Sequence, residues 1–207
     1  MPNWCSNRIT VTGDGIAAFC GKISKEDEFS FNDFIPEPDE MKDIECGFNT
    51  IGGKKYSQWR FVGVVNGEPD YEGLEEEELK RLTDKYGATN LYDWHTLHWG
   101  TKWDAVGSVI ISEENQCIVD FDTAWSPPEA FVIEVSRQFP ELIFELAFSE
   151  GGCCFYGLTA AQNGMELPCS YYSEDYWKSD AMENDDDDFI TENCKKHLLE
   201  YGLHTGG

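Results

Sequence analysis

The sequence predicts an α+β protein: an antiparallel sheet in the order strand, helix, strand, strand, helix, strand, extended by a fifth strand, with a long insertion and an acidic C-terminal extension. Three observations point there. Polar and apolar residues alternate in several short runs, two stretches space their apolar residues as a helix does, and proline and glycine punctuate the joints between them.

Asn7 to Thr12 alternates and stops at Gly13-Asp14-Gly15, which reads as a strand and a turn. Gly15 to Ser24 follows as a helix with Ile16, Phe19, Cys20 and Ile23 on one face. The pattern then breaks over about 28–104, an insertion holding Pro36, Pro38, Gly52-Gly53, a strand at Trp59 to Val65 and a helix at about Glu75 to Tyr86. Ala105 to Ser112 and Cys117 to Thr123 flank the turn Glu113-Glu114-Asn115-Gln116 and form a hairpin. Pro127 and Pro128 open a helix to about Phe139, with Ser126 as its N-cap. Leu142 to Phe148 is the next strand, and Cys153 to Leu158, after Gly151-Gly152, is the fifth. This is the split βαβ, or ferredoxin-like, order. It requires Asn7 to Thr12 to pair with Cys117 to Thr123, and both helices to share one face. The domain is expected over 1–165, followed by an acidic extension, 166–207, that ends in a helix at Phe189 to Leu203.

Charge narrows the function. The 207 residues include 40 Asp and Glu against 15 Lys and Arg, a net −25. Nucleic-acid binding draws its affinity from cationic contacts to phosphate, so direct binding of DNA or RNA is excluded. Residues 26–45, 68–78 and 174–192 together hold 25 acids and two bases, which assigns the acidity to the insertion and the tail and leaves a body near neutrality. With 41% hydrophobic and 14% aromatic residues the chain has material for a core. No run approaches the roughly 18 apolar residues of a membrane span. Met1-Pro2-Asn3-Trp4-Cys5 has neither a basic nor an apolar leader region, so the expectation is an unexported, cytoplasmic protein whose eight cysteines are reduced.

Three blocks carry a resemblance: Met1 to Gly13 (Met-Pro-Asn-Trp-Cys-Ser-Asn-Arg-Ile-Thr-Val-Thr-Gly), Trp99-Gly100-Thr101-Lys102-Trp103-Asp104-Ala105, and Phe121-Asp122-Thr123-Ala124-Trp125-Ser126-Pro127-Pro128. In this order they resemble the signature of the YubB-type ferredoxin-like family, over residues 1 to about 160, with Pro36-Glu37-Pro38 also fitting. The resemblance implies the fold and an origin on plasmids or phages in a bacterial host. It brings no activity and no catalytic residues.

All three blocks lie at strand ends that the topology gathers at one end of the sheet. Trp4, Trp99, Trp103 and Trp125 should converge there with Asn3, Asn7, Lys102, Asp104 and Asp122. Such a group can stack a planar ligand or grip a peptide, or it can be an aromatic core beneath the insertion. His95 and His98 share helical spacing, but the second ligand pair a zinc site needs is missing, and Cys153-Cys154 would point to opposite faces. Asp104 and Asp122 could form a carboxylate pair. No catalytic residue, metal or cofactor is assigned.

Two function classes follow. In the first, a non-catalytic accessory protein inhibits a basic host nuclease, restriction or defence complex, its carboxylates standing in for nucleic-acid phosphate; Glu75, Glu76, Glu77, Glu78 and Asp185, Asp186, Asp187, Asp188 would meet the partner. The alternative is a module that binds or hydrolyses a nucleotide-like ligand at the tryptophan-lined sheet end. A third reading takes the acidity as solubility alone.

Overall fold

A computed structural model describes residues 3–23, 28–113, 115–153, 155–168 and 170–173. They form two compact units, a body that includes Met1–Ile35 and the chain from His98, and an insertion, Pro36–Leu97.

The body is built on β1 (Trp4–Gly13), α1 (Ile16–Ile23), a later hairpin, a second helix and a run of C-terminal strands. In β1 the side chains of Cys5, Asn7, Ile9 and Val11 are buried, while Ser6, Arg8 and Thr10 between them are not, the alternation a pleated strand imposes. The insertion contributes β2 (Ile44–Ile51), β3 (Lys54–Val65), β4 (Glu68–Gly73), α2 (Glu76–Tyr86) and α3 (Leu91–His98). The body resumes with β5 (Val106–Ser112), β6 (Gln116–Ala124), α4 (Glu129–Gln138), β7 (Leu142–Glu150) and β8 (Phe155–Gln162), closed by β9 (Met165–Glu166) and β10 (Tyr171–Ser173). The body sheet runs β10-β8-β7-β1-β6-β5, with β9 beside β8. β1 is antiparallel to both β6 and β7, and Asn7 faces Phe121 in the register. The expected pairing of the first and third strands is therefore present, and the core of the sheet has the ferredoxin-like order.

One face of that sheet carries the helices. Phe19 of α1 lies 5.4 Å from Phe144 of β7, and Phe131 of α4 lies 4.4 Å from Phe31, which itself touches Phe121 of β6. Phe29 and Phe34 complete the cluster. These phenylalanines place 28–35 inside the body, so the compact insertion is narrower than the expected 28–104. Trp99 does the same from the other end, fully buried and donating its indole N–H to the Ile35 carbonyl at 3.1 Å. Ser126 does not cap α4. Its hydroxyl donates to the Gly100 carbonyl at 2.8 Å and Pro128 holds the capping position, where the missing proline N–H leaves nothing to satisfy.

The insertion is a three-stranded meander, β2-β3-β4, followed by its helices. Asn66-Gly67 turns β3 into β4 with φ of 54° and 84°, the left-handed pair a two-residue hairpin requires. β4 escapes a sequence reading because it is Glu-Pro-Asp-Tyr-Glu-Gly at a sheet edge, where charge and proline are tolerated and discourage further pairing.

Candidate functional site

The face of the body sheet opposite the helices is where chemistry gathers. Period-two geometry puts Trp4, Ser6, Arg8 and Thr10 of β1 on it, and the register sets Ser6 opposite Asp122 and Arg8 opposite Asp120. Arg8 grips Asp120 through two parallel bonds, Nε to Oδ1 at 2.6 Å and an NH2 nitrogen to Oδ2 at 2.9 Å. At the next rung the short Ser6 takes the place of an arginine and donates one hydroxyl bond to Asp122 Oδ1 at 3.0 Å. Between these rungs lies a cavity of about 250 Å3 lined by Ser6, Arg8, Gly107, Asp120, Asp122 and Ser149. Gly107 sits in the bulge of β5 at φ 67°, with open space where a Cβ would project. A side chain there would be strained and would enter the hollow.

Three of the four predicted tryptophans are half-exposed at this end, Trp4 at 42%, Trp103 at 41% and Trp125 at 47%. Trp4 and Trp103 meet with ring centroids 6.3 Å apart, and the Lys102 ammonium lies 4.6 Å from the centre of the Trp103 ring. Trp125 is joined to the same end by its backbone N–H, which donates to the Asn3 carbonyl at 3.0 Å. Trp99 separates from them, because it is part of the phenylalanine core.

The polar residues expected beside them divide as well. Asn7 is buried on the helix side and donates to the Cys5 carbonyl at 2.8 Å and to Thr123 Oγ1 at 2.9 Å. Asp104 holds a turn, accepting from the Phe31 N–H at 2.6 Å and from the Ser30 hydroxyl at 2.5 Å. The Asn3 side-chain amide lies 3.6 Å from the Cys153 sulfur. The structure thus brings Trp4, Lys102, Trp103 and Asp122 to one end of the open face and uses Asn7, Asp104 and Trp99 to build the body. Ser6, Asp120, Gly107 and Ser149 were missed as a group, although the outward positions of the two alternating strands point to Arg8, Asp120 and Asp122 together.

Three titratable groups of the sheet are unusual: Glu145, Cys5 and Cys117 of β6, whose thiol burial pushes up to about 12. Burial pushes the Glu145 carboxyl of β7 up to about 7, on the open face opposite Thr10. Burial also pushes the Cys5 thiol up to about 12, which makes it a packing group rather than a nucleophile. His95 bonds Glu37 at 2.7 Å within the insertion. Among the described residues no cluster of three His, Cys, Asp or Glu side chains could hold a metal.

The insertion's acids are partly spoken for. Glu75 accepts from Lys54 at 2.7 Å and from Tyr56 at 3.0 Å, and Glu78 accepts from Arg60 at 3.2 Å and Arg81 at 2.8 Å. Glu76 and Glu77 are exposed. Asp185, Asp186, Asp187 and Asp188 lie outside the described residues, as does the predicted helix at 189–203. Dividing the charge by compact unit corrects the expectation of a near-neutral body. Pro36–Leu97 carries 14 acids and seven bases, whereas residues 1–35 and 98–173 carry 16 acids and five bases. Of the 13 bases outside the three acidic segments, six sit in the insertion, five in these body residues and two at 195–196.

The family comparison agrees with this architecture. A family model described as the ferredoxin-like domain in Api92-like protein matches residues 98–192. The protein YubB of Escherichia coli K12 is 34% identical over 124 residues, which cover 58% of this chain and 82% of YubB. The crystal structure of protein api92 from Yersinia pseudotuberculosis aligns with a TM-score of 0.46 at 11% identity, covering 81% of this chain and 96% of that one. The chain belongs to the YubB-type ferredoxin-like family.

Proposed function

We propose that this member of the YubB-type family is a non-catalytic accessory protein of a plasmid or phage that binds a basic host protein and inhibits it, its carboxylates taking the place of nucleic-acid phosphate in the partner's groove. The observation that carries the reading is the charge of both compact units, with acids outnumbering bases by 16 to five in the body residues and by 14 to seven in the insertion. An excess of one sign on folded surfaces accelerates encounter with a basic partner by orders of magnitude and is screened by salt. A nuclease or restriction complex that already handles polyanions has the complementary surface.

The paired acids of the insertion redirect the mutational test. Glu75 and Glu78 serve the fold, so the residues to neutralise are Glu76 and Glu77, together with Asp185 to Asp188. With the partner immobilised after capture from host extract at low salt, the sextuple Gln/Asn variant should associate at least tenfold more slowly, and its rate should lose most of its salt dependence. An unaltered association rate and retained inhibition would remove the reading. The cavity on the open sheet face supports a second reading, in which that site binds a small ligand.

A further inference from the structure

The geometry points to Asp122, with Trp4 as its diagonal neighbour on the open face, as a receptor for a guanidinium group. The site rests on its own observations; that the guanidinium comes from an arginine of a basic partner protein rests on the reading above.

The precedent is built into the sheet. One rung away on the same two strands, Asp120 already receives a guanidinium through a two-bond fork, from Arg8 at 2.6 and 2.9 Å. Asp122 stands two residues along β6 on the same face, where its strand partner is Ser6. A serine spends one hydroxyl on Oδ1 and supplies no positive charge. An ionised carboxylate has about four acceptor positions, so among the described residues Asp122 forms one hydrogen bond and no ion pair. The missing group is the one that the neighbouring rung possesses; the cavity of about 250 Å3 lies on the Arg8 side of Asp122, which leaves the Trp4 side for an incoming guanidinium.

Trp4 supplies the second recognition element. Its rung partner is Ala124, so Trp4 is the diagonal neighbour of Asp122, about 7–8 Å away between backbones and within reach of a large ring. Ala124 opposite it is small. A planar guanidinium that forks onto Asp122 can therefore lie over the Trp4 face, the stacked arrangement that distinguishes arginine from lysine. The adjoining Trp103 ring already holds a cation, Lys102, at 4.6 Å, which shows that aromatic faces at this sheet end accept positive charge. Phosphate-bearing ligands are disfavoured by Asp120, Asp122 and the acidic body around them.

The test uses the full chain uniformly labelled with nitrogen-15 and three probes of matched concentration: an acetylated Gly-Ser-Arg-Ser-Gly peptide, the same peptide with lysine, and free agmatine. The Trp4 indole and the Ser6 and Asp122 amides should shift saturably with the arginine peptide. Asp122→Asn should weaken that binding roughly tenfold or more, as loss of one partner of a charged pair does, and Trp4→Ala by about two- to fivefold. The lysine peptide should bind several-fold more weakly. Ser6→Arg would give Asp122 an internal guanidinium, copying the Arg8 rung; it should fold, melt no lower than the parent and bind no peptide, which keeps the test valid if Asp122→Asn were to misfold. Equal binding of the arginine and lysine peptides, or binding unaltered in both Asp122→Asn and Ser6→Arg, would overturn the site. Agmatine binding as tightly as the arginine peptide upholds the site and turns the source from a protein partner to a free guanidine. Loss of partner association in the Glu76, Glu77 and Asp185 to Asp188 variant, with no effect of Asp122→Asn, overturns the site and leaves the basic partner standing.

Discussion

The insertion meets more of its described carboxylates with cations than the body does, where Arg8 holds Asp120 and Arg137 holds Glu134 but other acids meet uncharged groups. In the insertion Glu40 gathers Lys85 and Arg81, each at 2.5 Å, together with the Tyr86 hydroxyl, and Glu75 and Glu78 are similarly met by cations of their own unit. The Lys85 bond first, then Tyr86 and Arg81, hold the Glu40 carboxyl down at about 2. In the body Asp104 is satisfied by a backbone N–H and hydroxyl rather than a cation, Asp122 by a hydroxyl, and Glu145 is buried with its carboxyl pushed up to about 7. Paired acids can support a unit of few core residues, while acids left without cations cost stability and are available to an outside charge. The two units should therefore lose stability in opposite directions of pH change.

The largest expected effect comes as pH rises towards 7, at Glu145. Its folded carboxyl keeps a proton up to about pH 7, whereas the unfolded one releases it near 4.5. The unfolded state binds fewer protons in that window, so this contribution is complete below pH 4.5 and is lost as pH rises through 7. Glu145→Gln should remove the dependence and stabilise the body at pH 8 by on the order of 2–3 kcal/mol, read as a flattened profile of melting temperature between pH 5 and 8. A variant that melts with the parental pH profile would show that Glu145 is solvated.

A smaller effect is expected at Asp104, which the sequence grouped with the tryptophans. Asp104→Ala leaves the Phe31 N–H without its acceptor and should destabilise the body by about 1–3 kcal/mol, while arginine-peptide binding at Asp122 stays within twofold of the parent. Impaired binding at unchanged stability would return Asp104 to the site.

The smallest effect sharpens the comparison from the insertion's side. Because the Glu40 carboxyl is held at about 2, its contribution is complete above the usual carboxylate range and is lost as pH falls from 4.5 towards 2. Glu40→Gln should lower amide protection in α2 and β3 modestly at pH 6 and remove part of the acid limb there, with the body's protection unchanged. Arg81 and Lys85 are exposed and Glu40 is half-buried, so the effect is that of a surface network. An insertion that keeps its full acid limb in the variant would assign the limb to Glu75 and Glu78.

Much of this was legible in the chain itself. Alternation over Asn7 to Thr12 and Cys117 to Thr123 is a local property, and a strand with one face buried has one register that suits it, so the central pairing and the two-sided character of the sheet followed from residue order. The total charge followed from counting. The identity of each tryptophan did not: Trp99 and Trp103 lie four residues apart with the same chemistry, and only the docking of Phe31 and the Ile35 carbonyl makes one of them core and leaves the other beside Trp4. Likewise Glu75 and Glu76 are indistinguishable in sequence, until the β3 hairpin brings Lys54 and Tyr56 to the first of them. Sequence determined which faces and which charges exist, because periodicity and composition act over neighbouring residues. Tertiary structure alone decided which groups are satisfied and which stand open, because Asp122 lies 116 positions from Ser6 and Trp99 lies 64 from Ile35, and a partner at that separation is chosen by sheet register and core packing rather than by any local pattern.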